Sequence, residues 1–262
     1  MAALKHDHRI TELEDDLEFS GVDQVIAVQS RRSEKENHFL LEQARESEGV
    51  VAGVVGWAPL ASGELRVFLD QYLREPLFKG VRETICDPII ESPLDNPDFD
   101  EGVHELTRLG LCFELMVSPE ALPAAISFAD RHPDQQIVLD HCGCPELTAG
   151  AFPKAWAHAM RELARRPHVY CKISGLTMPM SPHPGNTPHE AMSHSQLIKP
   201  CFETVCDAFG PARLMFGSNW PVCNLTTNYP AWLTTVDDLV FALSRDEQEA
   251  IYRDTAVGFF QL

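Results

Sequence analysis

The sequence predicts an α/β chain folded as a TIM-type (β/α)8 barrel, one domain over residues 1–262, with a first strand that is missing or degenerate. Three observations predict it. Short apolar runs, often β-branched, recur along the chain. Segments with helical spacing separate them. The intervals, about 25 to 45 residues, suit a barrel of roughly 250 residues.

The runs are QVIAVQ (24–29), GVVAGVVGW (49–57), LFKGVR (77–82), GLCFELMV (110–117), QIVLDHCG (136–143), HVYCKISG (168–175) and ARLMFGSN (212–219). Helical spacing appears between them at Phe39/Leu40/Ala44, Leu65/Phe68/Leu69/Tyr72, Leu122/Ala125/Ile126/Ala129 and Trp156/Met160/Leu163. Ser33 followed by Glu36, and Ser118-Pro119-Glu120, are helix-start signals. Continuous apolar strands alternating with helices imply a parallel sheet covered by helices. A doubly wound sheet competes, but no Gly-rich phosphate fingerprint follows any run. A closed barrel needs an eighth strand, and room for one exists only before Ile10. The stretches 86–97 and 177–195 are Pro-rich and read as loops.

Lys and Arg total 21 against 39 Asp and Glu, a formal charge of −18. Such a surface repels phosphate backbones and anionic lipid, which argues against nucleic-acid and membrane partners. Eight cysteines are scattered, several inside apolar runs such as GLCFELM and VYCKISG. That pattern predicts free buried thiols and a reducing, cytoplasmic setting. No signal peptide opens the chain and no apolar run is long enough to span a membrane.

Chemistry in such a barrel gathers at the C-terminal ends of the strands. Those ends supply Gln29, Trp57, Arg82, Glu114, His141, Lys172 with Ser174, and Asn219. Each has a bland alternative: Lys172 snorkels, and Glu114 pairs with a neighbouring cation. VLDHCGCP is the sharpest. His141 closes an apolar strand, and Gly143 and Pro145 turn the chain at once. An imidazole there binds a metal, donates to a substrate carbonyl, or only bonds a neighbouring carbonyl of the chain. HCGC lacks the second ligand pair of a zinc knuckle. The stretch 177–195 holds His183, His189 and His194 and reads as a lid over the mouth. Their spacings match no helical ligand pair.

VVGWAPL, FKGVRE, VLDHCGCP, CKISGL and LMFGSNWPV occur in that order at barrel-like spacing. Together they resemble the amidohydrolase-related (amidohydrolase 2 type) family of TIM-barrel hydrolases, in its sugar-lactonase branch. The resemblance runs from about Thr11 to Leu262. It implies a lactone or sugar acid as the small-molecule partner, and one divalent metal, zinc or manganese, in some members and none in others. It places Asn219 where the family has the aspartate that acts as general base. It gives His141 a role in binding metal or polarising the lactone carbonyl, and Arg82 a role in binding substrate. Gln29, Trp57 and Lys172 would line the pocket.

Two departures follow. The family's opening strand with its His-x-His pair is absent, and GSDWP has become GSNWP. His6-Asp7-His8 has the letters of the pair, but the residues before it are too few for a strand. The expectation is an exposed amino-terminal tail. An amide cannot accept a proton as a carboxylate does. Three readings result: an active lactone hydrolase with another base, Glu114 or a lid histidine being the candidates; a catalytically silent barrel that binds a sugar acid or a protein partner; and a truncated, inactive form. The last would leave sheet edges open to homo-oligomer formation.

Overall fold

The computed structural model describes residues 4–86, 92–147, 151–177 and 194–262, with His194 and Ser195 described by backbone alone. Seven strands form one sheet in sequence order: β1 Val25–Val28, β2 Val51–Gly56, β3 Phe78–Ile85, β4 Cys112–Val117, β5 Ile137–Leu139, β6 Val169–Ile173 and β7 Leu214–Phe216. Every neighbouring pair is parallel. Six of them lie inside the predicted runs, and β3 starts inside its run, 77–82, but continues to Ile85. Among the described residues β7 does not pair with β1, so the sheet is a curled half-barrel with two edges. The segment before Ile10 forms no strand among its described residues, and a 3-10 turn occupies Ile10–Glu12.

Helix α1 Glu14–Ser20 precedes β1, and between strands lie α2 Glu34–Glu46, α3 Leu65–Asp70, α4 Pro97–Leu109, α5 Leu122–Arg131, α6 Lys154–Leu163 and α7 His194–Phe209. After β7 come α8 Tyr229–Val240, α9 Arg245–Glu249 and α10 Thr255–Phe260. Ser33 caps α2 by accepting from the Lys35 amide. Glu36 does not complete the expected box. Its carboxylate accepts instead from the amide and hydroxyl of Ser30. Asn96 caps α4, with Pro97 in the first turn, where a missing N–H costs nothing.

Alternation along the strands separates two interiors. One large apolar cluster lies between sheet and helices, with Val54, Val81, Phe113, Leu115, Leu139, Val169 and Leu214 facing outward. The opposite face lines the lumen. Its apolar part is small: Val55, Cys112, Val138 and Met215, closed by Phe259 and Phe260 of α10. Tyr170 meets Phe259 edge-on, with ring centroids 4.9 Å apart. Gly80 makes room on this face, because a Cβ there would stand 2.2 Å from the Cys112 sulfur. The C-terminal helix thus fills lumen space that a half-barrel cannot close with backbone.

Phe260→Ala should therefore cost about 3 kcal/mol or more of unfolding free energy, as burying and losing a core Phe does. A denaturant titration measures it, and a loss within error of zero would show that the lumen does not depend on α10.

Candidate active site

Four charged side chains meet on the lumen face, one from each of four consecutive strand units. Arg82 lies opposite Glu114 in the β3–β4 register. Asp140 follows β5 directly, and Lys172 is the fourth residue of β6. Lys172 Nζ stands 2.5 Å from Glu114 Oε1 and 3.3 Å from Asp140 Oδ1. The Arg82 guanidinium reaches Asp140 Oδ2 at 3.2 Å and Glu114 Oε1 at 3.8 Å. Glu114 and Asp140 are buried, and Lys172 nearly so.

The two carboxyls respond differently to this enclosure. Burial, helped by the Asp140 charge, pushes Glu114 up to about 7. Burial also acts on Asp140, but Lys172, Arg82 and His141 outweigh it and hold Asp140 down at about 2. Two carboxyls at close quarters thus part in their affinity for protons, one raised and one lowered. Lys172 stays charged, its two carboxyl neighbours overriding the cost of burial.

His141 sits above this quartet in an unusual turn. His141, Cys142, Gly143 and Cys144 all have φ between 51° and 66°, four left-handed residues in succession. The turn is held from outside: Trp156 Nε1 donates to the Cys142 carbonyl at 2.7 Å, and the Cys142 thiol to the Lys172 carbonyl at 3.3 Å. His141 Nδ1 is 2.7 Å from Ser174 Oγ. Its Nε2 has no hydrogen-bond partner among the described residues. Burial, with the positive charges of Arg82 and Lys172, lowers His141 to about 4 despite Asp140, so the ring is neutral at pH 7. Gly175 permits this placement. Its φ is 65°, and a Cβ there would lie 2.6 Å from His141 Cγ.

The other expected residues divide. Asn219 follows β7 with φ 56° and precedes the cis Trp220–Pro221 bond. Gly217 passes close to Ser174, which brings the β7 tip beside the His141–Ser174 pair. Gln29 is buried and donates to the Arg82 carbonyl at 3.1 Å, so it ties the end of β1 to β3. Arg82 is not strand-terminal as expected, because β3 continues to Ile85. Glu114 is likewise mid-strand and wholly buried, holding Lys172 rather than facing the mouth. Trp57 is clamped through its backbone to the Asn37 amide group and lines a cleft of about 400 Å³ with Arg32, Glu83 and Phe99. Its ring meets Phe68 edge-on, with ring centroids 5.8 Å apart. Asp140 was not singled out from the sequence, although a carboxylate next to a strand-closing histidine was its signal.

The predicted lid at 177–195 lies outside the described residues but for Thr177 and the backbone of 194–195, and so do His183 and His189. The amino-terminal segment is not a free tail. His6 is exposed, but His8 is half-buried, its ring 5.4 Å from Trp220 and nearly perpendicular to it. All eight cysteines are free, and five are buried. No helix among the described residues is long and apolar enough to cross a membrane.

Comparison with known proteins agrees with this architecture. Residues 5–262 match the amidohydrolase family. An L-fucono-1,5-lactonase of Burkholderia ambifaria is 33% identical over 99% of this chain and 87% of its own length. That of Burkholderia multivorans is 35% identical over 90% and 80%. The crystal structure of an amidohydrolase from Burkholderia multivorans with bound zinc superposes with a TM-score of 0.90 at 33% identity, covering 100% of this chain and 91% of that one.

Zinc in that relative makes the donor set around His141 informative. One His141 nitrogen is committed to Ser174, Asp140 is committed to Arg82 and Lys172, and Asn219 offers only an amide. Among the described residues, the one group of three His, Cys, Asp or Glu side chains with donor atoms within 4.8 Å of one another is His6, His8 and Glu12. The described residues around His141 do not make a metal cage.

Two outcomes follow from this geometry. A carboxyl with a raised folded pKa stabilises fully below its unfolded value, and that stability is lost as pH rises through the folded value. Glu114 should thus impose a loss of stability between the unfolded value of 4.5 and about 7. In Glu114→Gln that part of the pH slope should vanish, as urea titrations across the range would show; an unchanged slope would mean Glu114 is ionised throughout. Gly175→Ala should cost at least about 1 kcal/mol from its backbone conformation alone, and should shift the His141 ring resonances because the added methyl displaces the imidazole.

Proposed function

The chain belongs to the amidohydrolase family, and on that premise we propose that it acts on a sugar-acid lactone, with water attacking the cyclic ester carbonyl. The observation that carries this reading is the neutral His141–Ser174 pair, set at the strand ends over a buried pair of cations. The relatives named as L-fucono-1,5-lactonases support the substrate class.

Hydrolysis of a lactone needs a proton acceptor for water, stabilisation of the developing oxyanion and a proton for the departing alkoxide. Ser174 fixes the His141 ring and leaves Nε2 for the mouth. That nitrogen takes the proton of the attacking water and returns it to the ring alkoxide. With its affinity for protons reduced, His141 is a weak acceptor near neutral pH, so this step is slow. Lys172 and Arg82 hold a positive field beneath the carbonyl without moving, because Glu114 and Asp140 fix them. Asn219 orients the water or a sugar hydroxyl through its amide, but does not take a proton.

Asn219 also favours a second reading, a barrel that binds a sugar acid and turns over little. Turnover of five- and six-carbon aldonolactones separates the two. We expect slow hydrolysis by the unaltered chain, abolished by His141→Ala. Asn219→Asp should gain far less than the roughly 10² to 10⁴ that a general base typically supplies, because the described residues around it make no metal cage to activate the attacking water. Binding of the sugar acid by equilibrium dialysis with no turnover in any variant would establish the silent reading. Fast turnover that survives His141→Ala would remove His141 from the mechanism.

A further inference from the structure

We infer that His6, His8 and Glu12 form a site for one zinc-class divalent ion, held at the amino-terminal segment and separate from His141. The inference rests on donor geometry and stands whether or not the chain hydrolyses lactones.

Two distances carry it. His6 Nε2 lies 3.2 Å from Glu12 Oε2, and His8 Nδ1 lies 3.5 Å from the same oxygen. A tetrahedral zinc with bonds of about 2.0–2.1 Å holds its donors roughly 3.3–3.4 Å apart. The second contact is too long for a good hydrogen bond, yet it matches an edge of that tetrahedron. All three donor atoms lie within 4.8 Å of one another. The set is two imidazoles and one carboxylate, ligands suited to zinc.

The donors are also pre-positioned. Glu12 Oε1 accepts from the Arg9 amide at 3.0 Å, which leaves Oε2 directed at the two rings. This fixing of a ligating carboxylate by a backbone donor is what a metal site needs behind its ligands. The His8 ring is set by Trp220, and its Nε2 is buried without a partner, so Nδ1 is the nitrogen it can offer. Buried Ile10 anchors the turn between the ligands, and its amide donates to the Gln43 side chain at 3.1 Å. The side chains of His6 and Glu12 are 56% and 42% exposed, so the fourth coordination position faces water. An ion there would fasten the amino-terminal segment to the loop that carries Trp220.

Metal-stripped full-length protein titrated with Zn²⁺ by calorimetry, and with Co²⁺ by visible absorption, tests the inference. We expect one equivalent bound, with a cobalt spectrum lacking thiolate charge-transfer bands. Changes behind a ligand typically cost 10- to 100-fold in affinity, so loss of a ligand should cost at least about tenfold. His6→Ala, His8→Ala and Glu12→Gln should each show this, while His141→Ala binds as the parent does. His6 is exposed, so its substitution leaves the fold intact. Absence of stoichiometric binding, affinity retained in His6→Ala and His8→Ala, loss on His141→Ala, or a thiolate band would each overturn the assignment.

Discussion

The lumen is organised by four charges that can exist there only together. Arg82, Glu114, Asp140 and Lys172 come from successive strand units, and each finds its partners only in the observed register. A slip of one residue in any of these strands would turn its charge into the apolar layer beneath the helices. Removing one member of such a buried set commonly costs 3–5 kcal/mol, because the rest lose their compensation. The quartet is therefore weak as a source of net stability and strong as a specification of which side of each strand faces inward. His141, Ser174 and the β7 tip inherit their places from it.

The arrangement divides the lumen by depth. One part of it is apolar, with Val55, Cys112 and Val138 closed by Phe259 and Phe260. Toward the other end it becomes charged and then hydrogen-bonding. Lys172 spans the two zones, its ammonium 6.0 Å from the Phe260 ring centroid while paired with carboxyls above. A low-dielectric floor under fixed charges lets those charges act on a ligand at the mouth with little screening. The lowered proton affinity of His141 reflects that field, since both cations contribute to it.

Much of this was legible in the sequence. All seven strands show as apolar runs because a buried parallel strand is apolar on both faces. His141 was legible because a polar ring closes such a run. Arg82 was read as strand-terminal because the polar pair Glu83-Thr84 looks like a strand's end. In fact Glu83 takes its charge partner from Arg32, outside the lumen, and the strand continues. Asp140 was hidden by its neighbour: nothing in a linear pattern says that a carboxylate after Leu139 faces two cations 58 and 32 residues away in sequence. The expectation that His8 lies in an exposed tail fails for a related reason. Its partner Trp220 lies at the far end of the chain, and only the curl of the sheet brings them together.

The left-handed run from His141 to Cys144 bears on how this protein can change. For residues other than Gly, Asn and Asp that conformation costs roughly 1–2 kcal/mol each. Two of the three such residues here, His141 and Cys142, are held against that cost by bonds with Trp156, Ser174 and the Lys172 carbonyl. Evolution at this loop is therefore bound to residues distant in sequence. A new side chain at 142 keeps the Trp156 bond to its carbonyl but carries the strain of its predecessor without the thiol bond to β6. The neighbouring mouth positions 218 and 219 carry no such debt to α6. Asn219 is left-handed too, with φ 56°, but Asn adopts that conformation at little cost, so the tip of β7 can hold its shape without an outside brace.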